Sequence, residues 1–258
     1  MRAVSVHEDA LVLTSGLWQT NAVALRSGEE AILVDSPYFP DELDMLPSVL
    51  AQSGFEPDGL IATHGDFDHL LGRLAFPGLA LGVAELTAER LQREPGAVQR
   101  ELRDYDAEFY VTREKPLSLG SVQALPVPGS VELGEGELEL HPAEGHTGDG
   151  LALLAPDHRV LVCGDYLSGV ELPMLSPGGS LDAYRATLAR LAPLVERAEI
   201  VVPGHGSANA RDVAMRILDE DVDYLDAVER GEERPRLPEG RDTRAQRKLH
   251  AENLAAVG

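Results

Sequence analysis

Thr63-His64-Gly65-Asp66-Phe67-Asp68-His69 packs four metal-ligand side chains, His64, Asp66, Asp68 and His69, into six residues. A helix would spread them around its circumference, and a strand would alternate them between two faces. A tight loop running into a helix can aim them all one way, and Gly65 makes such a loop easier. Imidazole and carboxylate donors together suit zinc, iron or manganese. The chain has one cysteine, so a cysteine-rich structural zinc site is excluded.

Three later segments add ligand-type residues: Gly-His-Thr-Gly-Asp around His146, Cys-Gly-Asp-Tyr around Asp165, and Pro-Gly-His-Gly around His205. With the first segment they supply four histidines and three aspartates, enough for two ions. Each lies just after a segment that reads as a strand. Strands are expected at 10–14, 21–26, 31–35, 59–63, 79–83 and 199–202, with helices at 41–52, 181–196 (Ser180 as N-cap), 208–229 and 241–254. Residues 84–110 read as helical with a break at Pro95-Gly96, and 117–163 as β. Within that β region, Glu132 to Leu140 alternates with a period of two, and 151–154 pairs with 160–163 around Ala155-Pro156-Asp157-His158. The order is β-rich then αβ, twice over, which predicts two similar halves, each a sheet covered by helices. In α/β sheets, loops after the strands converge on one site.

This set resembles the metallo-β-lactamase fold superfamily. Its pattern is an Asp after an early strand, then His-x-His-x-Asp-His, a His, a bridging Asp and a final His; Asp35, residues 64–69, His146, Asp165 and His205 match in that order. The resemblance implies a four-layer α/β/β/α sandwich of class α/β, formed as one domain over 1–258. It also implies two divalent ions, zinc foremost and iron or manganese as alternatives. His64, Asp66 and His146 would hold one ion, Asp68, His69 and His205 the other, and Asp165 would bridge them. Asp35 would orient ligands through hydrogen bonds, and Asp68 could also handle a proton. The implied activity is hydrolysis of a small-molecule ester, lactone, thioester or phosphoester by a metal-bridging hydroxide.

The sequence departs from the pattern at one place: position 66 is Asp where the family usually has His. A third carboxylate makes the cluster one unit less positive, hence a weaker Lewis acid. It also moves preference toward harder ions such as iron or manganese. The flavodiiron branch carries a carboxylate at the same point, so an iron oxidoreductase is the alternative reading. No flavin-binding segment is recognised after the last ligand, so its electron-transfer partner would be separate.

Composition narrows the partners. At 43% hydrophobic and 26% charged the chain reads as a globular protein, and its net charge of −22 repels phosphate backbones, so nucleic acid is not an expected partner. No apolar run is long enough to span a bilayer and no signal peptide is recognised, so a cytoplasmic protein is expected. The absence of an export signal also argues against a β-lactam substrate. Tyr38, Phe39 and Tyr166 adjoin matched positions and could line the pocket or simply pack. Cys163 reads as a small buried residue, Asp149 as a turn residue that could help hold the site, and His250 as a surface or core residue. His7, His141 and His158 read as structural or solvated. Oligomeric state is not legible.

Overall fold

The structure is a computed structural model that describes residues 1–257; Gly258, the last residue of the expected domain, lies outside the described residues. The first sheet has seven strands in sequential order: β1 (Arg2–His7), β2 (Ala10–Thr14), β3 (Asn21–Ser27), β4 (Glu30–Val34), β5 (Pro57–Ile61), β6 (Ala80–Ala84) and β7 (Val122–Leu125). The second has six, also in sequential order: β8 (Gly129–Leu133), β9 (Gly136–Pro142), β10 (Leu151–Ala155), β11 (Val160–Val162), β12 (Ile200–Val202) and β13 (Asn209–Ala210). The first sheet is antiparallel through β4 and parallel from β4 to β7. In the second only β11 and β12 run parallel.

Both faces of the central strands of each sheet are covered, which explains why β2, β3, β4, β10 and β11 are apolar along most of their length rather than alternating with polar residues. The period of two sorts their side chains between two cores. Ala10, Val12, Val23, Leu25, Ile32 and Val34 meet Leu151, Leu153, Val160 and Val162 between the sheets. The intervening Leu11, Leu13, Ala22, Ala24 and Leu33 face outward to α1 (Pro40–Gln52), α3 (Glu85–Arg93) and α4 (Ala97–Glu108). On the other side Ala152, Leu154, Leu161 and Val201 face α5 (Leu181–Arg197) and α6 (Arg211–Glu229). The layers are therefore α/β/β/α, the sandwich the sequence leads one to expect.

Several local readings hold. Ser180 Oγ accepts the Ala183 amide at 3.2 Å as N-cap of α5, and β10 pairs with β11 as a hairpin. Others are corrected. The alternating stretch from Glu132 to Leu140 is two strands, turned at Gly134-Glu135, where Leu133 pairs with Gly136. Strands β1 and β13 were not anticipated. β13 takes Asn209 and Ala210, so the helix expected from 208 starts at Arg211. The last helix, α7, runs Arg244–Val257 rather than 241–254. Arg241 precedes it as a buried residue paired with Asp221 and Glu220. Among the described residues no helix is long and apolar enough to cross a membrane.

The two sheets are stitched where the ligand-bearing loops leave them. The Leu151 amide donates to Thr63 O at 2.7 Å, and the Asn21 amide to Gly204 O at 2.7 Å. The Asn21 side chain spans Pro203 O and Gly206 O, both at 2.9 Å.

Candidate metal centre

The loops after β4, β5, β11 and β12, and the loop between β9 and β10, bring Asp35, His64, Asp66, Asp68, His69, His146, Asp165 and His205 together at one end of the sandwich. In the 63–69 segment a loop enters a short 3-10 turn over Phe67–His69, followed by α2 (Gly72–Ala75). His64, Asp68, His69, His146 and His205 are buried, and the Asp66 and Asp165 side chains are only 17% and 13% exposed.

Every histidine is held by its Nδ1. Thr63 Oγ1 donates to Asp35 Oδ2 at 2.8 Å and accepts from His64 Nδ1 at 3.1 Å. His69 Nδ1 lies 3.0 Å from Asp35 Oδ2. His146 Nδ1 donates to Met174 O at 3.0 Å, and His205 Nδ1 to Trp18 O at 3.3 Å. These acceptors put the ring proton on Nδ1 and turn the Nε2 lone pair inward, as a metal-binding imidazole requires.

Around the inward nitrogens the spacing is regular. Asp66 Oδ2 is 3.7 Å from His64 Nε2 and 3.5 Å from His146 Nε2; Asp165 Oδ2 is 3.6 Å and 3.3 Å from the same two. On the other side Asp68 Oδ2 is 3.7 Å from His69 Nε2 and 3.4 Å from His205 Nε2. Asp165 Oδ1 is 3.2 Å and 3.4 Å from that pair. A tetrahedral ion with bonds of about 2.0–2.2 Å spaces its ligands roughly 3.3–3.6 Å apart. His64, His69 and His146 Nε2 and Asp165 Oδ1 are buried with no hydrogen-bond partner among the described residues. Native proteins seldom leave such atoms unsatisfied. The donor set therefore fits two divalent ions. Gly204 belongs to the same fit, because a Cβ there would fall 2.1 Å from Asp165 Oδ1 and 3.0 Å from His69 Cε1.

The electrostatics agree. Burial would depress the histidine pKa values, but carboxylates outweigh it. Asp66 and Asp165 push His146 up to about 9. Asp165 and Glu171 push His205 up to about 10, and Asp35, Asp165 and Asp68 raise His69 well above its ordinary value. Burial would raise Asp66 and Asp165, yet the facing imidazoles hold both well below the usual carboxylate range. The cluster is a sink for positive charge, whether protons or metal ions.

A cavity of about 420 Å³ opens over this cluster. Trp18, Phe67, Tyr105 and Phe109 form an aromatic wall, and Leu172, Pro173, Met174 and Leu249 of α7 face it. Glu101, Glu108, Glu171, Asp221 and Glu252 also line it, against one cationic side chain, Lys248.

Sequence reasoning did not find Thr63 and Arg90. Thr63 couples Asp35 to His64, and Arg90 bonds Asp66 and Asp149, both at 2.8 Å. Asp149, read mainly as a turn residue, accepts the Gly65 amide at 3.0 Å and so braces the loop. Tyr166 accepts the His146 amide at 3.0 Å, packing behind the site. Tyr38 is fully buried and bonded to Asp106, away from the cavity, and Phe39 packs on it. Cys163 Sγ faces Tyr166 O and Val202 O, and burial raises its thiol pKa. His250 joins Tyr224 and Glu232 O in the core. His7, Asp9 and His158 cluster elsewhere, but Arg26 occupies the Asp9 carboxylate and the Asp9 amide occupies His7 Nδ1.

Residues 15–205 match the metallo-beta-lactamase superfamily family model. The chain belongs to the metallo-β-lactamase superfamily. Among its relatives, a metallo-beta-lactamase type 2 of Bacillus sp. (strain 170) is 24% identical over 84% of this chain and 78% of its own. A metallo-beta-lactamase type 2 of Pseudomonas aeruginosa is 22% identical over 74% of this chain and 69% of its own. A solved metallo-beta-lactamase family protein from Thermus thermophilus superposes with a TM-score of 0.69 at 19% identity, over 88% of this chain and 83% of its own. Within the superfamily match, position 66 remains Asp, and α6 and α7 lie beyond it.

Proposed function

We propose that this single domain is a metal-dependent hydrolase with two divalent ions, zinc foremost. His64, Asp66 and His146 would hold one, Asp68, His69 and His205 the other, and Asp165 both. The observation that carries the reading is Asp165, whose two oxygens face two separate histidine pairs at ligand spacing. Divalent ions bound there would lower the pKa of water and polarise a carbonyl or phosphoryl oxygen.

The protein's own residues do the rest. Asp35 fixes the His69 ring and, through Thr63, that of His64. Asp68 lies at the cavity floor, where its carboxylate can take the proton that leaves an attacking water. The aromatic and aliphatic walls seat an apolar substrate body. Four lining glutamates against Lys248 favour a neutral or cationic small molecule: an ester, lactone or thioester ahead of a phosphoester, and all of these ahead of a nucleic acid. The relatives' β-lactamase names come to this chain as a test substrate, disfavoured because such drugs carry a carboxylate and the walls beyond the ions carry four glutamates against one lysine. A single cysteine, with no internal disulfide, suits the cytoplasm.

The test is elemental analysis of protein purified without added metal, with turnover of neutral and anionic esters. Two zinc ions and faster cleavage of the neutral ester are the expected result. A second reading rests on Asp66, whose harder donor favours iron. Two irons with oxygen consumption would establish that oxidoreductase reading and overturn the hydrolase.

A further inference from the structure

We infer that Arg90 is the positioning residue that lets a carboxylate stand at position 66. It grips Asp66 by the oxygen turned away from the centre and cancels the charge that the third carboxylate adds. This rests on the two-ion reading above.

The geometry is a fork. Arg90, on α3, sends Nη2 to Asp66 Oδ1 at 2.8 Å and Nη1 to Asp149 Oδ1 at 2.8 Å. Asp149 Oδ2 accepts the Gly65 amide at 3.0 Å, so the guanidinium is fixed to the loop that carries the ligands. With Oδ1 so occupied, Asp66 presents only Oδ2 to His64 and His146. It is thereby prepared to offer one oxygen, as an imidazole offers one nitrogen.

Charge gives the second argument. An imidazole at position 66 would be a neutral donor and would offer a guanidinium nothing to accept its second N–H pair. Asp66 adds a negative charge beside Asp68 and Asp165, and Arg90 returns a positive one a single hydrogen bond away. A guanidinium cannot lose its proton under ordinary conditions, so the compensation is permanent. If Arg90 served only to pair the buried Asp149, one arm of the fork would suffice; the other reaches the ligand.

A thermodynamic cycle separates these roles. Wild type, Arg90→Gln, Asp66→His and the double variant are titrated with zinc against a chelator, with stoichiometry by elemental analysis. Losing the guanidinium removes the same repulsion on the ions in both backgrounds, so that contribution cancels. The inference expects Arg90→Gln to weaken zinc binding at least about tenfold more with Asp66 than with His at 66, in the range for residues that orient ligands. Equal ratios in the two backgrounds overturn it and leave Arg90 a clamp for Asp149. If the Asp66→His chain does not fold, Arg90→Lys decides. Lysine keeps the charge but cannot fork, so weakened binding supports the grip and unchanged binding overturns it. A wild-type chain that takes up no zinc overturns the two-ion reading itself and this inference with it; two ions with equal ratios overturn this inference alone.

Discussion

Asp35 Oδ2 lies 3.0 Å from His69 Nδ1 and accepts the Thr63 hydroxyl at 2.8 Å, while Asp35 Oδ1 takes the Thr63 amide at 2.8 Å. One buried carboxylate thus sets the orientation of His69 directly and of His64 through Thr63. Its backbone sits at φ +59°, a left-handed conformation that Asp and Asn tolerate better than other side chains. Asp35→Asn keeps that backbone and most of the shape but can present an N–H where an acceptor is needed. Zinc affinity should fall roughly 10–100-fold with the fold retained. Chelator competition measures the first, and an unchanged far-ultraviolet spectrum the second.

Asp66→Ala removes a donor facing both His64 and His146 and leaves Arg90 without one of its two partners. Metal content should fall from two ions toward one, with the ion between His69 and His205 retained. Unchanged stoichiometry and affinity by elemental analysis and chelator competition would remove Asp66 from the site.

Ion-free protein should lose stability as the solution becomes alkaline. His146 and His205 rise from an ordinary 6.5 to about 9 and about 10 because carboxylates face them. A group whose pKa is raised on folding binds its proton more tightly when folded. Its stabilisation is therefore complete below about pH 6.5 and is lost as pH rises through 9 to 10. Calorimetry in chelator should show Tm falling across pH 7–10. The zinc-loaded protein should show little of this fall, since the ions replace those protons. A chelated sample with a flat profile would contradict the assignment.

Tyr38 adjoins a site segment but serves the core. Its hydroxyl donates to Asp106 Oδ1 at 2.8 Å, and Arg113 holds the same carboxylate at 2.8 and 3.0 Å. Tyr38→Phe should cost about 1–2 kcal/mol in denaturant unfolding, as expected for a buried hydrogen bond left half unmade. Turnover and zinc content should stay as in wild type. A change in KM without a change in stability would place Tyr38 at the substrate instead.

Much of this molecule is legible before it folds. Ligand-type residues clustered after apolar strands identify the centre, because strand ends are where a covered α/β sandwich exposes its loops. The apolar runs at 31–35 and 151–154 are legible as strands, and the structure buries residues 31–34 and 151–155 without interruption. One boundary is marked only by a change of phase: apolar Leu133 stands at an odd position and Leu138 and Leu140 at even ones, and the glycines at 134 and 136, which have no side chain, blur the flip at the turn.

What the sequence by itself determined is the identity and order of the donors, since the chemistry of imidazole and carboxylate is local. What only the tertiary structure decided is how they are held. Arg90 lies 24 residues from Asp66, on a helix that carries no ligand-type motif of its own, and Asp149 lies 84 residues from Gly65. Met174 O and Trp18 O orient His146 and His205 through backbone carbonyls, which every residue possesses and no sequence pattern marks. The second layer of contacts is made of common groups brought close by packing, and packing is a property of the whole chain.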